Sequence, residues 1–568
     1  MSEEKHGTDS SIDYMVEQVR SGKMTRRQLI AGATALGLGA TAVGSLLAAC
    51  GGESSGGGGG ASASAAPSGS AMPEPVMGGT LTGIIPPSIT DIDPVTIYDQ
   101  GGIVLIQQVC EYLIALDNAN GLKPSLATEW SGNEDGSVWT FKLREGVTFN
   151  DGSPLEAADV VASLDRVTDP EGGSGALAAL QGILSPGGTK AVDTMTVECT
   201  LDKPFADFPY LVCQSSYNTV ILKRDYAGDF AKNPVGTGPF MLESYNAKQK
   251  AVMVKNPTYW GTDAKGNKLP YLDQVTWVMV QDESAANLQL QSGAVDFQPQ
   301  TVFQGSQALF ADPNLRVDIY PGSGIREVAF NLEKEPWKSA PKELRQAVAW
   351  CLDRDAINKA LYDGRSLIGY DTFWEPTVFP GSPDVPEQRA QDYTKAKELL
   401  TTAGFADGIE IELTVAKYLE NPQLAQLIQQ QCKPAGITVK INQISYDAFY
   451  AGSETDTPWL NAPMVIVEWG SRPTPGVFAQ AMLMPGVPWS SSHWDNQDFA
   501  STFDQYMATT DEAQRTELAT QLSTIQQDDT PIMVPFFITQ LRTQKKDVYG
   551  IQGPGNFYCI MSEAFKAQ

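Results

Sequence analysis

The stretch WSGNEDGSVWTFKLREGVTFNDGSPLEAADV, residues 130–160, constrains the fold more than any other part of the chain. Its order is strand, turn, strand, turn, helix. Asp135-Gly136 is a turn dipeptide. Trp139, Phe141 and Leu143 alternate with Val138, Thr140, Lys142 and Arg144, so one face of the second strand is apolar and the other polar. Asn150-Asp151-Gly152 marks a second turn. Ser153-Pro154 then starts a predicted helix, with Glu156 where a capping-box carboxylate sits. By pattern alone this is a β-hairpin followed by a helix.

The rest of the body repeats that grammar. Residues 80–87 read as a strand, and 103–116 are apolar at helical spacing with Gln107, Gln108 and Glu111 on the wet side. Residues 192–201 alternate as a strand. A strand at 271–281, a helix at 283–291 ending at Gly293 and a return at 294–297 make a strand–helix–strand unit, which places the chain in the α/β class. Residues 326–331 are strand-like. Pro341 opens a helix with Leu344, Ala347, Val348, Cys351, Leu352 and Ile357 on one face. Thr510 caps a predicted helix that runs to Asp529, and 531–537 returns as a buried strand. The absence of a short-period repeat argues against a solenoid.

The chain has 568 residues, long enough for more than one domain, and a formal net charge of −27 from 67 acidic and 40 basic side chains. Nucleic-acid binding needs a basic footprint and is disfavoured. Only His6 and His493 are present, so a His-rich metal site is excluded, and no C-x-x-C occurs among the seven cysteines. No metal or other cofactor is expected.

The first fifty residues read as an address. Thr25-Arg26-Arg27-Gln28-Leu29-Ile30 resembles a twin-arginine export motif, with Arg26 and Arg27 on the cytoplasmic side. An uncharged Ala-, Gly- and Leu-rich run from Leu29 to Ala49 follows, and Leu47-Ala48-Ala49-Cys50 resembles a lipobox. The expectation is a signal peptide over 1–49, with Cys50 lipidated as the new N-terminus. The competing reading is an uncleaved anchor, since the run is just long enough to span. Residues 50–78 are a lipidated Cys and a Gly/Ser-rich tether, with a reach of about 30 Å. Gly52-Glu53-Ser54-Ser55-Gly56 fits a hydrolase expression but has no strand before it and no helix after it.

Residues 130–160, Asn233-Pro234-Val235-Gly236-Thr237-Gly238-Pro239-Phe240, Asn256-Pro257-Thr258-Tyr259-Trp260, LRQAVAWCLDRDAI at 344–357, the helix at 395–404 and Ala435-Gly436-Ile437 together resemble the family 5 extracellular solute-binding proteins, the oligopeptide- and dipeptide-binding subunits of ABC importers. The landmarks run from about residue 80 to residue 540. The resemblance implies an α/β two-lobed clamshell with an extra subdomain in the larger, discontinuous lobe. It places lobe I at 79–320 plus 536–568, an inserted subdomain at about 104–228, and lobe II at 321–535, with crossings near Pro321 and Pro535. It further implies a lipid-anchored, extracytoplasmic monomer that takes peptide between its lobes and hands it to permease and ATPase subunits. Such a chain is not an enzyme.

In peptide-binding relatives a Trp on a second-lobe strand is followed three residues later by an Asp that pairs with the ligand's α-ammonium. The matching stretch is Val465-Ile466-Val467-Glu468-Trp469-Gly470-Ser471-Arg472-Pro473. Trp469 fits the aromatic position, Arg472 stands where the Asp is expected, and Gly470 lies between them. An arginine repels an ammonium and favours a carboxylate, phosphate or sugar hydroxyl, so oligosaccharide or another organic solute stays open beside peptide. The alternative for Arg472 is an internal ion pair. Glu468 could supply the missing negative charge, although on a strand it faces away from Trp469. Trp374 and Tyr98 are further ligand candidates, with Phe373, Trp489 and Trp494 behind them. Lone His493 reads as a solvent-exposed loop residue. A secreted hydrolase and a ligand sensor are the competing function classes. Of Cys110, Cys199, Cys213, Cys351, Cys432 and Cys559, the candidate disulfide is Cys199–Cys213, the pair closest in sequence.

Overall fold

In the computed structural model, which describes residues 72–567 apart from 90, 380, 384–387 and 554–557, the strand expected at 80–87 is β1 (Thr80–Ile85) of one large mixed sheet. The export motif with Arg26 and Arg27, the lipidation candidate Cys50 and the tether up to residue 71 lie outside the described residues. Pro73 onward belongs to a single compact unit.

Nine further strands complete the path of that sheet: β2 (Phe240–Asn246), β3 (Lys250–Lys255), β4 (Gln274–Met279), β5 (Phe297–Gln298), β6 (Leu315–Phe330), β7 (Ile409–Ala416), β8 (Ile437–Ile444), β9 (Met464–Trp469) and β10 (Phe536–Lys545). The spatial order is β8-β7-β9-β6-β10-β5-β1-β4-β3-β2. β8, β7 and β9 pair in parallel at one end, β5, β1 and β4 pair in parallel in the other half before β3 and β2 finish it antiparallel, and antiparallel β6 and β10 join the two halves at the middle. The fold is mixed α/β.

The join has a local cause. The β6–β10 ladder breaks between Tyr320 and Gly324, where Pro321 has no N–H to donate. A side-chain carbon on Gly322 would lie 2.1 Å from Ile538 O, so only glycine admits this approach. One apolar cluster fills the first half of the sheet, from Leu81 and Val104 to Trp277 and Phe297. A second, with Val328, Leu344, Ile357, Leu413 and Ile466, covers one face of the other half.

The opening stretch builds a separate four-stranded sheet. Ala127–Gly132 pairs with Val138–Leu143, then come Thr196–Thr200 and Thr189–Ala191. Trp139, Phe141 and Leu143 are buried as their alternation requires, and Phe141 meets Phe208 edge-on at 6.2 Å. The helix starts later than expected, at Ala157. Glu156 is the N-cap and Asp159 closes the capping box, because Ser153 is held by the preceding turn through Asp151.

Other local expectations shift for tertiary reasons. The helix expected within 103–116 is Gln100–Val109, followed by the strand Ile114–Leu116. Gln107 and Gln108 are buried rather than wet, and Gln108 Nε2 donates to Cys559 O, 451 residues away. The helix after Pro341 divides into Lys342–Trp350 and Arg354–Tyr362, with Asp353 capping the second. Asp511, not Thr510, caps Glu512–Asp529, while Thr510 Oγ1 donates to the Asn133 and Glu134 carbonyls. The Gly236 and Gly238 landmark packs on the helix ending at Val109, where an added side-chain carbon at Gly236 would lie 2.0 Å from Val109 O.

The disulfide between Cys199 and Cys213 does not form. Both are free and buried. Cys199 sits on its strand 3.8 Å from Thr189 Oγ1, whereas Cys213 contacts Ser215 Oγ at 3.0 Å. Burial pushes the Cys199 thiol up to about 12 and the Cys213 thiol up to about 11, so thiolate chemistry is suppressed at both. Iodoacetamide applied to the native protein is expected to leave these two thiols unmodified, and denaturation without reductant is expected to expose both. Mass mapping checks this, and modification appearing only after reduction would contradict it.

Candidate ligand-binding cleft

Strands β6 and β9 run antiparallel with Ile325 opposite Trp469, Arg326 opposite Glu468 and Glu327 opposite Val467. The period of two separates these residues into two faces. Ile325, Ala329, Val465, Val467 and Trp469 belong to a cluster that continues into the four-stranded sheet. Val328, Phe330, Met464 and Ile466 belong to the cluster on the opposite face.

Trp469 is 6% exposed and its Nε1 donates to Glu327 Oε2 at 2.7 Å. That bond occupies the indole's only donor, so the ring acts as an apolar surface. Phe478 stands edge-on to it at 6.4 Å, and Trp489, 49% exposed, lies 6.3 Å away. Glu327 is fully buried and its Oε1 has no partner among the described residues. Burial pushes the Glu327 carboxyl up to about 8, the Trp469 bond opposing only in part, so it is largely protonated at neutral pH.

Beyond the end of β9, the Arg472 guanidinium lies 5.4 Å from the centre of the Trp469 ring. Ser323, in the β6 break, holds its backbone from both sides. Arg472 N donates to Ser323 Oγ at 2.9 Å, and that hydroxyl donates to Arg472 O at 2.7 Å. A cavity of about 50 Å³ opens there, lined by Asn120, Tyr210, Ser215 and Tyr558 on one side and Phe379, Ser471, Arg472 and Pro473 on the other, with Pro321, Gly322 and Ser323 at the break. A cavity of about 530 Å³ shares Tyr210, Phe379 and Pro473 with it and extends to Asp207 and Arg515. The Asp207–Arg515 ion pair, 2.5 Å, and the bond from Ala206 N to Met507 O, 2.7 Å, close the far end.

The other ligand candidates lie elsewhere. Glu468 is on the opposite face, where Asn421 Nδ2 donates to it at 3.0 Å, so it places no charge beside Arg472. Trp374 is fully buried between Phe499 and Tyr506, with ring centres 6.2 and 6.3 Å away, and offers no surface to a ligand. Tyr98 is 56% exposed and lines neither cavity. Gly470 is exposed next to Trp469. His493 is half-buried rather than solvated, and its Nε2 donates to Leu460 O at 2.9 Å. Glu327, Ser323, Tyr210, Phe379 and Tyr558 were not picked out by the sequence. Only Glu327 carried a signal, as an acid on the apolar side of a strand's alternation.

Among the described residues, no group of three or more His, Cys, Asp or Glu is placed to hold a metal, and no helix is long and apolar enough to cross a membrane.

Comparison with known proteins agrees with this architecture. The dipeptide-binding protein of Escherichia coli (strain K12) is 26% identical over 491 residues, covering 80% of this chain and 88% of that protein. HbpA2 from Haemophilus parasuis superposes with a TM-score of 0.74 at 23% identity, over 86% of this chain and 100% of that one. DppA from Helicobacter pylori, an ABC transporter-associated periplasmic binding protein in complex with the peptide STSA, gives 0.63 at 23% identity, over 87% and 99%. Residues 121–490, which hold the four-stranded sheet, β6, β9 and most of the cleft, match the bacterial extracellular solute-binding proteins, family 5 (middle region), and the chain belongs to that family.

Proposed function

We propose that this chain is the extracytoplasmic receptor of an ABC importer, capturing peptide between two lobes and presenting it to a membrane permease and its ATPase. The observation that carries this reading is the cavity at the β6 break, lined from both sides of the crossing strands. Lobe I comprises 79–320 and 536–568, with the inserted subdomain at about 104–228, and lobe II comprises 321–535. The break after Tyr320 supports the first crossing. Ligand that touches both lobes favours the arrangement in which they approach, and that arrangement is what a permease reads. The dipeptide-binding and STSA-bound relatives support peptide as the ligand class. The chain works as a monomer held at the outer face of the membrane through lipid on Cys50, and it makes and breaks no bond.

Native mass spectrometry of the full-length chain, purified without denaturation, tests the ligand class. Retained peptide masses support the proposal, and a discrete non-peptide mass would replace peptide with that solute. Trp469 lines neither cavity itself, and its role is tested by Trp469→Ala, expected to weaken ligand binding about tenfold by removing the ring on which the Arg472 guanidinium rests. Unchanged affinity in calorimetric titration would remove Trp469 from the site.

A further inference from the structure

Arg472 is a cation without a counter-ion. Among the residues lining its cavity it is the only charged one. Among the described residues its guanidinium forms no ion pair. Nη1 donates to the Gly470 and Ser471 carbonyls, at 3.3 and 3.2 Å, and among the described residues Nε and Nη2 have no acceptor. Burial alone lowers its pKa, with no carboxylate opposing that shift. Elsewhere Arg326 meets Glu420, Arg354 and Arg389 meet Asp371, and Arg515 meets Asp207, while buried Arg542, which also lacks a carboxylate, has both Nη atoms on carbonyl and phenol oxygens; half-buried Arg472 has neither arrangement. The acids of the two paired strands are engaged elsewhere. Glu468 faces away, and Glu327 is occupied by Trp469.

The surroundings are built for a guest with acceptors. Ser471 Oγ is buried and has no hydrogen-bond partner among the described residues; it belongs to the residue next to Arg472, which lines the same cavity. A buried hydroxyl without a partner costs free energy that a ligand acceptor recovers. Ser323 fixes the Arg472 backbone from both sides, and the Trp469 ring lies beneath the guanidinium, so the fork is oriented before any ligand arrives.

We propose that the cleft selects a carboxylate-bearing solute, its carboxylate seated on the free guanidinium edge of Arg472 with Ser471 Oγ donating to it. This rests on the solute-receptor reading above and adds the polarity of the ligand. At this end of the cleft the protein takes the acid and not the amine. A peptide's C-terminal carboxylate and a non-peptide organic acid share this chemistry.

Calorimetric titration of the full-length chain separates these cases. The probes are tri-alanine with both ends free, the same peptide amidated at the C-terminus, and the same peptide acetylated at the N-terminus, together with a series of aliphatic mono- and dicarboxylates. Amidation is expected to weaken binding at least about tenfold, acetylation to change it little, and Arg472→Ala to abolish the distinction, with Arg472→Lys retaining part of it. A chain that binds the simple carboxylates in an Arg472-dependent way and no tri-alanine supports the anion site and makes the ligand a non-peptide acid, which sinks only the peptide reading. Loss on acetylation without loss on amidation would overturn the anion site and leave peptide capture standing. Equal affinities in the wild type and in an Arg472→Ala variant of unchanged melting temperature would overturn it as well. A folded chain that binds neither class overturns both.

Discussion

Replacing Asp371 by alanine is expected to destabilise the protein by about 3–5 kcal/mol, the largest stability effect anticipated here. Asp371 is fully buried, and its Oδ2 accepts from Arg354 Nη2 at 2.6 Å and Arg389 Nη1 at 3.0 Å, both arginines being 3% exposed. Its Oδ1 accepts from Val534 N at 3.2 Å. The two guanidinium groups extend the network into three segments. Arg354 Nη1 reaches Ala349 O and Arg389 O, and Arg389 Nη2 reaches Gln527 O and Thr530 Oγ1. The start of Arg354–Tyr362, the end of Glu512–Asp529 and the approach to β10 are therefore fastened at one carboxylate. Alanine would leave two buried cations facing each other. It would also be strained by the backbone, since Asp371 sits at φ 64°, where Asp and Asn are tolerated and alanine is not. Asp371→Asn, which keeps one acceptor and the conformation, should cost less. Urea denaturation at pH 7 measures both, and a loss below about 1 kcal/mol for the alanine variant would show that water, not Asp371, satisfies the arginines.

The second large effect depends on pH. Glu327→Gln is expected to gain stability relative to the wild type as the pH rises from 4 to 8, by on the order of 4 kcal/mol across that range. The folded carboxyl titrates near 8, pushed up by burial, with the Trp469 bond as the opposing influence. In the unfolded chain it returns to the ordinary carboxylate range near 4.3. Between those values the folded state holds the proton and the unfolded state has lost it. Raising the pH through this window therefore erodes stability, and the erosion levels off above 8, where both states are ionised. Glutamine keeps the acceptor for Trp469 Nε1 and cannot ionise; its buried amide N–H groups add a cost that is the same at every pH, so the test is the change in the difference with pH. Denaturant midpoints at pH 4, 6 and 8 test this. A variant whose advantage does not grow with pH would show that Glu327 is ionised in the folded protein. The free Oε1 and the fixed indole suggest why an acid stands here at all: it orients the ring on which the Arg472 guanidinium rests.

Much of the local architecture was legible because its causes are local. The alternation at Trp139, Phe141 and Leu143, the turns at Gly136 and Gly152, and the helix 283–291 depend on neighbours two to four residues away. Where the reading slipped, a distant partner had intervened. Gln107 and Gln108 looked wet because their helix does not reveal that the chain's last segment covers them, with Cys559 O accepting from Gln108. Trp374 looked like a ligand platform because exposure is not encoded by residue type, and Phe499 and Tyr506 bury it. Cys199 and Cys213 looked like a pair because they are close in sequence, yet their own neighbours are Thr189 and Ser215.

By itself the sequence determined the α/β class, the order of the principal strands and helices, the motifs that tie the chain to its family, and the face of β9 on which Trp469 lies, since a strand's period of two separates Trp469 from Glu468 wherever the strand is placed. Only the tertiary structure decided which charges are paired. Arg354, Asp371 and Arg389 are spaced along the chain like surface residues, and Glu327 and Trp469 are 142 residues apart. Half-buried Arg472 stands apart from Arg326, Arg354 and Arg389 in having no carboxylate within reach among the described residues. Coulombic and hydrogen-bond partnership depends on distance in space, and that distance is set when β6 and β10 bring remote segments side by side.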